Sequence, residues 1–141
     1  MVSTVPRRVA PAFQPVHALL LGGALTLFLG ALLSDVAYYR TFEIQWNNFA
    51  SWLIAGALVI AAVALVCALF ALLPARRTPA ALPHFVLLLA TWVAGFFNAL
   101  MHARDAWASM PGGLVLSVVT VVLGLVAAFF AARAPRIGGV E

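Results

Sequence analysis

Four ionisable side chains stand at the ends of two apolar runs. His17 and Asp35 bracket one run, and His84 and His102 bracket another. Each pair is eighteen residues apart. That is five helical turns, so both members share one helix face, about 27 Å apart. Imidazole and carboxylate groups carry protons, ligate metals or pair across helices. Inside a membrane they are expensive, and each marks a functional site by default.

Lipid is the solvent that the composition demands. The chain has 141 residues, 65% hydrophobic and 9% charged, with mean hydropathy +1.10. Soluble domains are typically about 25% charged. A span takes about 20 mainly apolar residues, so the length admits four spans and no extramembrane domain. The net charge of +4 comes from arginine, since lysine is absent. These arginines flank apolar runs, so they set topology rather than bind nucleic acid. The single cysteine, Cys67, forms no internal disulfide and no metal pattern, and reads as a small core residue.

The elements that must position these groups follow from runs and breakers. We expect an all-α integral membrane four-helix bundle, one membrane domain with spans at about 17–39, 46–73, 83–103 and 114–133. Arg7 and Arg8 before the first run mimic a signal peptide, but the run is long and shows no Ala-x-Ala-like site, so a retained anchor is expected. Pro74 and Pro79 close the second run, Pro83 opens the third, and Pro111-Gly112-Gly113 breaks the chain before the fourth. Arg7, Arg8, Arg76, Arg77, Arg133 and Arg136 would share one side, whereas Arg40 and Arg104 are offset by Glu43 and Asp105. The positive-inside rule then predicts both termini inside, with the loops after the first and third spans facing the periplasm or exterior. Tyr38, Tyr39, Trp46, Trp52 and Trp107 would form an outer aromatic belt.

Two levels result. The outer one gathers Asp35, Asn98 and His102, with Trp46, Asn47, Asn48, Tyr38, Arg104 and Asp105 at its rim. It reads as a quinone or small-ligand pocket in which Asp35 and His102 move protons, or else as a structural knot. In the knot, Asp35 pairs with His102 or Arg104, and Asn98 bonds across helices. The inner level holds His17 and His84, which could be axial ligands of a b-type haem or merely interfacial groups. No metal pattern and no Cys-x-x-Cys-His for covalent haem occurs. Phosphate-loop, Gly-x-Ser-x-Gly and His-Glu-x-x-His motifs are absent too. Ser51, Ser117 and Thr120 are expected to bond back to helix carbonyls or to neighbouring helices.

A shift of 67 residues lays His17 on His84, Asp35 on His102, and the first hairpin on the second. Parallel repeats of this kind occur in transporters. A proton relay through Asp35 and His102 is disfavoured, because only Thr91 and small residues interrupt the apolar stripe between the levels.

Three segments carry a family resemblance. The first two are Phe13-Gln14-Pro15-Val16-His17-Ala18-Leu19-Leu20 with Asp35 beyond it, and Trp46-Asn47-Asn48-Phe49-Ala50-Ser51-Trp52. A third is Asn98-Ala99-Leu100-Met101-His102-Ala103-Arg104-Asp105-Ala106-Trp107. Together they resemble the bacterial four-helix membrane proteins of domain-of-unknown-function family 2231, across nearly the whole chain. The resemblance implies His17, Asp35, Asn47, Asn98, His102, Arg104 and Asp105 as site positions. His84 falls outside the segments that carry it. Similar members tend to be encoded beside periplasmic quinoprotein dehydrogenases. The resemblance therefore implies a small subunit that anchors or serves such a redox partner, with a quinone or electron-transfer site at the outer leaflet. The alternatives are a cofactor-free structural or assembly subunit and a haem-binding subunit. Contacts with other membrane subunits or with a second copy of the chain are compatible with each reading.

Overall fold

The computed structural model describes residues 13–74 and 78–133. Five helices follow in order: α1 (Phe13–Thr41), α2 (Ile44–Phe70), α3 (Ala81–His102), the short α4 (Ala106–Ser109) and α5 (Gly112–Ala132). Among the described residues there is no strand. All but α4 are long and apolar enough to cross a membrane. Their outward faces carry Leu19, Val59, Val66, Leu125 and Val122, all exposed. A contiguous apolar surface of this extent is built for lipid.

The four spans form a ring. α1 packs on α2 and α5, and α3 packs on the same two helices. α1 and α3 therefore face each other across the diagonal. They run parallel, since His17 meets His84 at one end and Asp35 meets His102 at the other.

The buried stripe of α3 is His84, Leu88, Thr91, Gly95, Asn98 and His102, the face expected from its spacing. The α1 residues 67 positions earlier are His17, Leu21, Ala24, Phe28, Ala31 and Asp35; the last five are buried and His17 is half-buried. The two hydrogen-bonded pairs in this set are thus repeat mates across the bundle's centre. In α2 the inward face is mostly alanine: Ala50, Ala57, Ala61, Ala64 and Ala68. Small residues let helix backbones approach closely, which is how membrane helices gain packing contacts. Trp92 Nε1 adds a bond from α3 to the Leu58 carbonyl of α2, at 3.1 Å.

Several local expectations are corrected. α2 ends at Phe70, and 71–74 form turns although the apolar run continues. Gly112 and Gly113 lie inside the first turn of α5 rather than before it. A Cβ on Gly113 would sit 2.8 Å from His102 Cε1, so this glycine serves close approach, not chain breaking. Tyr38 is only 2% exposed and turns into the bundle, leaving the aromatic belt to Tyr39, Trp46, Trp52 and Trp107. α1 stops at Phe42, whose φ of 57° is the left-handed cap conformation that ends helices. The Phe42 ring then stacks on Trp107 of α4, 5.8 Å between centroids.

Candidate functional site

At one end of the bundle a closed polar circuit joins α1, α3 and α5. Asn98 Nδ2 donates to Ser117 Oγ at 2.8 Å. Ser117 Oγ donates in turn to Asp35 Oδ2 at 2.5 Å. Asp35 Oδ1 and His102 Nε2 share one hydrogen bond of 2.7 Å. His102 Nδ1 donates to the Asn98 backbone carbonyl at 3.0 Å. The circuit begins and ends on Asn98. Asp35 and Asn98 are fully buried, and His102 is 5% exposed.

The geometry fixes the proton inventory. A carbonyl only accepts, so His102 carries a proton on Nδ1. One further proton lies between Nε2 and Asp35, and the pair is net neutral whichever atom holds it. Ser117 has one hydroxyl proton and gives it to Asp35, so Asn98 must present its N–H₂ group to Ser117. This leaves Asn98 Oδ1 buried without a protein donor. An unpartnered buried acceptor costs about 1–3 kcal/mol, so the circuit outweighs it. Neither nitrogen of His102 is left over to bind or deprotonate a ligand.

Beside the circuit lies an open pocket of about 450 Å³. Asn47, Asn48, Ser51, His102, Arg104 and Asp105 line it, together with Ile44, Gln45 and Ala106. Asn47 is only 6% exposed. Ser109 Oγ shares its one proton between the Ala106 carbonyl at 2.6 Å and Asn47 Oδ1 at 3.0 Å, and the Asn47 amide nitrogen has no partner among the described residues. Arg104 meets only Met101 Sδ, at 3.7 Å. The single ion pair among the described residues is Asp35 with His102, so Arg104 and Asp105 have no ion partner among those residues. Trp46 is exposed against Phe49 and does not line the pocket.

At the opposite end His17 and His84 gather each other. Their Nε2 atoms are 2.9 Å apart, with the rings perpendicular. His84 Nδ1 donates to the Ala127 carbonyl of α5 at 2.8 Å. In the neutral ring its Nε2 is then an acceptor, so His17 Nε2–H is the donor. His17 Nδ1 is buried without a partner. An iron held between two imidazoles needs about 4 Å, twice a metal–nitrogen bond of about 2 Å. The directly bonded pair does not fit an axial haem set. The two side chains bond across the diagonal, a helix-to-helix contact at the ends of their spans that the spacing alone did not give.

Sequence reasoning brought together Asp35, Asn98 and His102 correctly, and set Asn47, Arg104 and Asp105 near them. It missed Ser109, which sits on a four-residue helix too short to leave a periodic signal. It left Ser117 open between two roles. Ser51 and Thr120 do bond back, to Asn47 and Leu116 carbonyls, whereas Ser117 reaches a neighbouring helix. Arg7, Arg8, Arg76, Arg77 and Arg136, on which the topology expectation rests, lie outside the described residues.

Between the two polar ends the axis is closed by Leu21, Phe28 and Leu88, all buried. Thr91 bonds to its own Leu87 carbonyl and offers no relay.

No curated protein and no solved structure matches the chain. A family model described as "Predicted membrane protein (DUF2231)" matches residues 13–140, nearly the whole length, and the chain belongs to that family.

Proposed function

We propose that this membrane protein is an anchor subunit that holds an extramembrane redox partner at the Asp35–His102 end of the bundle. One observation carries the reading: the buried polar groups at that end are tied to one another, while the open ones face out. Asp35, His102, Ser117 and Asn98 are bonded to one another in a closed circuit that joins three helices. Gln45, Asn48, Arg104, Asp105 and the Phe42–Trp107 stack remain available at the surface. The quinoprotein type of the partner rests on the gene association that goes with the family resemblance. Both termini on the cytoplasmic side of a bacterial inner membrane fit the arginine pattern and put this end outside.

A quinone site at the same end is the finer form of this proposal. Its ring would meet amides and a hydroxyl but only Ile44 and Ala106 as apolar wall. Ligand sites for flat apolar rings are mostly apolar, so the weight falls on anchoring.

The test is deletion and fractionation. Without this chain, a quinoprotein dehydrogenase of the kind encoded beside similar family members should move from the membrane to the soluble fraction. Trp107→Ala should weaken retention while the bundle stays folded. A dehydrogenase that stays membrane-bound without the chain would refute anchoring. Purified protein should be colourless, oxidised and reduced; quinone recovered at one per chain would favour the quinone form.

A further inference from the structure

We propose that the pocket between α2 and the α3–α4 connection binds a zwitterionic phospholipid headgroup of the phosphoethanolamine type. The inference is independent of the partner. The pocket lies where the spans end, and exposed Trp46 and Trp107 are chain neighbours of its lining residues Gln45, Asn47 and Ala106, at the depth where indoles mark the membrane–water interface. Its volume of about 450 Å³ falls within the ~300–1,000 Å³ of small-molecule sites. Its lining is polar, so the ligand is polar too.

Two unlike charges stand side by side there. Arg104 and Asp105 both line the pocket, and neither has an ion partner among the described residues. A purely anionic headgroup would leave Asp105 repelled, and a purely cationic one would leave Arg104 repelled. A phosphate next to an ammonium satisfies both. The phosphate has further donors. α2 begins at the pocket with Ile44 and Gln45, and the Glu43 side chain makes no cap bond to its free N–H groups. Such a helix start attracts phosphate. Asn47, nine-tenths buried, lines the pocket, and its amide nitrogen has no partner among the described residues. A primary ammonium can donate to the Asp105 carboxylate, which a quaternary one cannot do.

The test uses the full chain in nanodiscs or detergent, with native mass spectrometry of bound lipid. The wild type should retain one phosphatidylethanolamine in preference to phosphatidylcholine and phosphatidylglycerol. Arg104→Gln should lower retention about tenfold through loss of a charge-assisted contact. Asp105→Asn should erase the preference for ethanolamine over glycerol headgroups. Both residues are exposed, so neither variant threatens the fold. Equal retention by the wild type and Arg104→Gln would overturn the proposal. So would phosphatidylglycerol bound as well as phosphatidylethanolamine, which would mean a plain anion site. Tight binding of soluble phosphoethanolamine without any lipid would overturn the lipid source.

Discussion

Phe28 fills the space that a side chain on Gly95 would need. The two are repeat mates, 67 residues apart, on the diagonal helices α1 and α3. A Cβ on Gly95 would lie 3.0 Å from both Cε1 and Cζ of the ring, and 3.2 Å from Leu58 Cδ2. One large and one absent side chain thus meet where two equal ones would collide or leave a void. The same pairing of small with large runs through the other repeat mates, Ala31 with Asn98 and Ala24 with Thr91, all buried.

Gly95→Ala should therefore destabilise the bundle by about 1–3 kcal/mol, the usual cost of overpacking. Unfolding in mixed detergent with SDS measures it. Adding Phe28→Leu to Gly95→Ala should recover part of the loss, because the obstacle is the ring. An undiminished loss in the double variant would show that the ring is not what confines Gly95.

The Asp35–His102 bond should behave as a lock. Interhelical polar bonds in membranes average only about 0.6 kcal/mol, but breaking a buried pair while leaving its partner uncompensated costs about 3–5 kcal/mol. Asp35→Ala strands both His102 and Ser117, so its loss should approach the larger figure. A double-mutant cycle with His102→Ala should give a coupling above about 1 kcal/mol. Coupling near zero would mean that the circuit does not hold the helices.

How much of this was legible in the sequence depends on the physics involved. The four spans were, because about 20 apolar residues in a row have no other use. The α3 stripe from His84 to His102 was too, because the 3.6-residue period alone fixes a helix face. The ring order was not: nothing in a period says which helices share an edge and which a diagonal. That choice decides whether His17 and His84 touch or merely sit at one level, and the structure puts them 2.9 Å apart. The direction of Tyr38 was also hidden, since an interfacial tyrosine suits a lipid belt and a bundle interior equally well. Its place three residues after Asp35 puts it on the inward stripe, which was the available signal.

At the other end the histidine pair is unequal, and its variants should be unequal as well. His84→Ala removes the bond to Ala127 and strands the His17 donor. His17→Ala leaves only the His84 Nε2 acceptor without its donor. Each net hydrogen bond is worth roughly 1 kcal/mol. His84→Ala should thus cost about 1 kcal/mol more than His17→Ala in the same unfolding assay. Equal losses would mean that the Ala127 bond adds nothing.

Two glycines should separate close approach from simple helix flexibility. A Cβ on Gly113 would meet His102 Cε1 at 2.8 Å and both ring nitrogens at 3.3 Å. That ring is held from two sides, by Asp35 and by the Asn98 carbonyl, so it cannot swing away without breaking the circuit. Gly22 faces outward, with nothing within 4 Å of its Cβ position. Alanine in a helix interior is favoured over glycine by about 0.5–1 kcal/mol. Gly22→Ala should therefore be neutral or slightly stabilising, and Gly113→Ala should destabilise despite the same gain in helix propensity. If Gly113→Ala were as stable as Gly22→Ala, the His102 ring would have to be free to move, and the closed circuit could not be the lock described above.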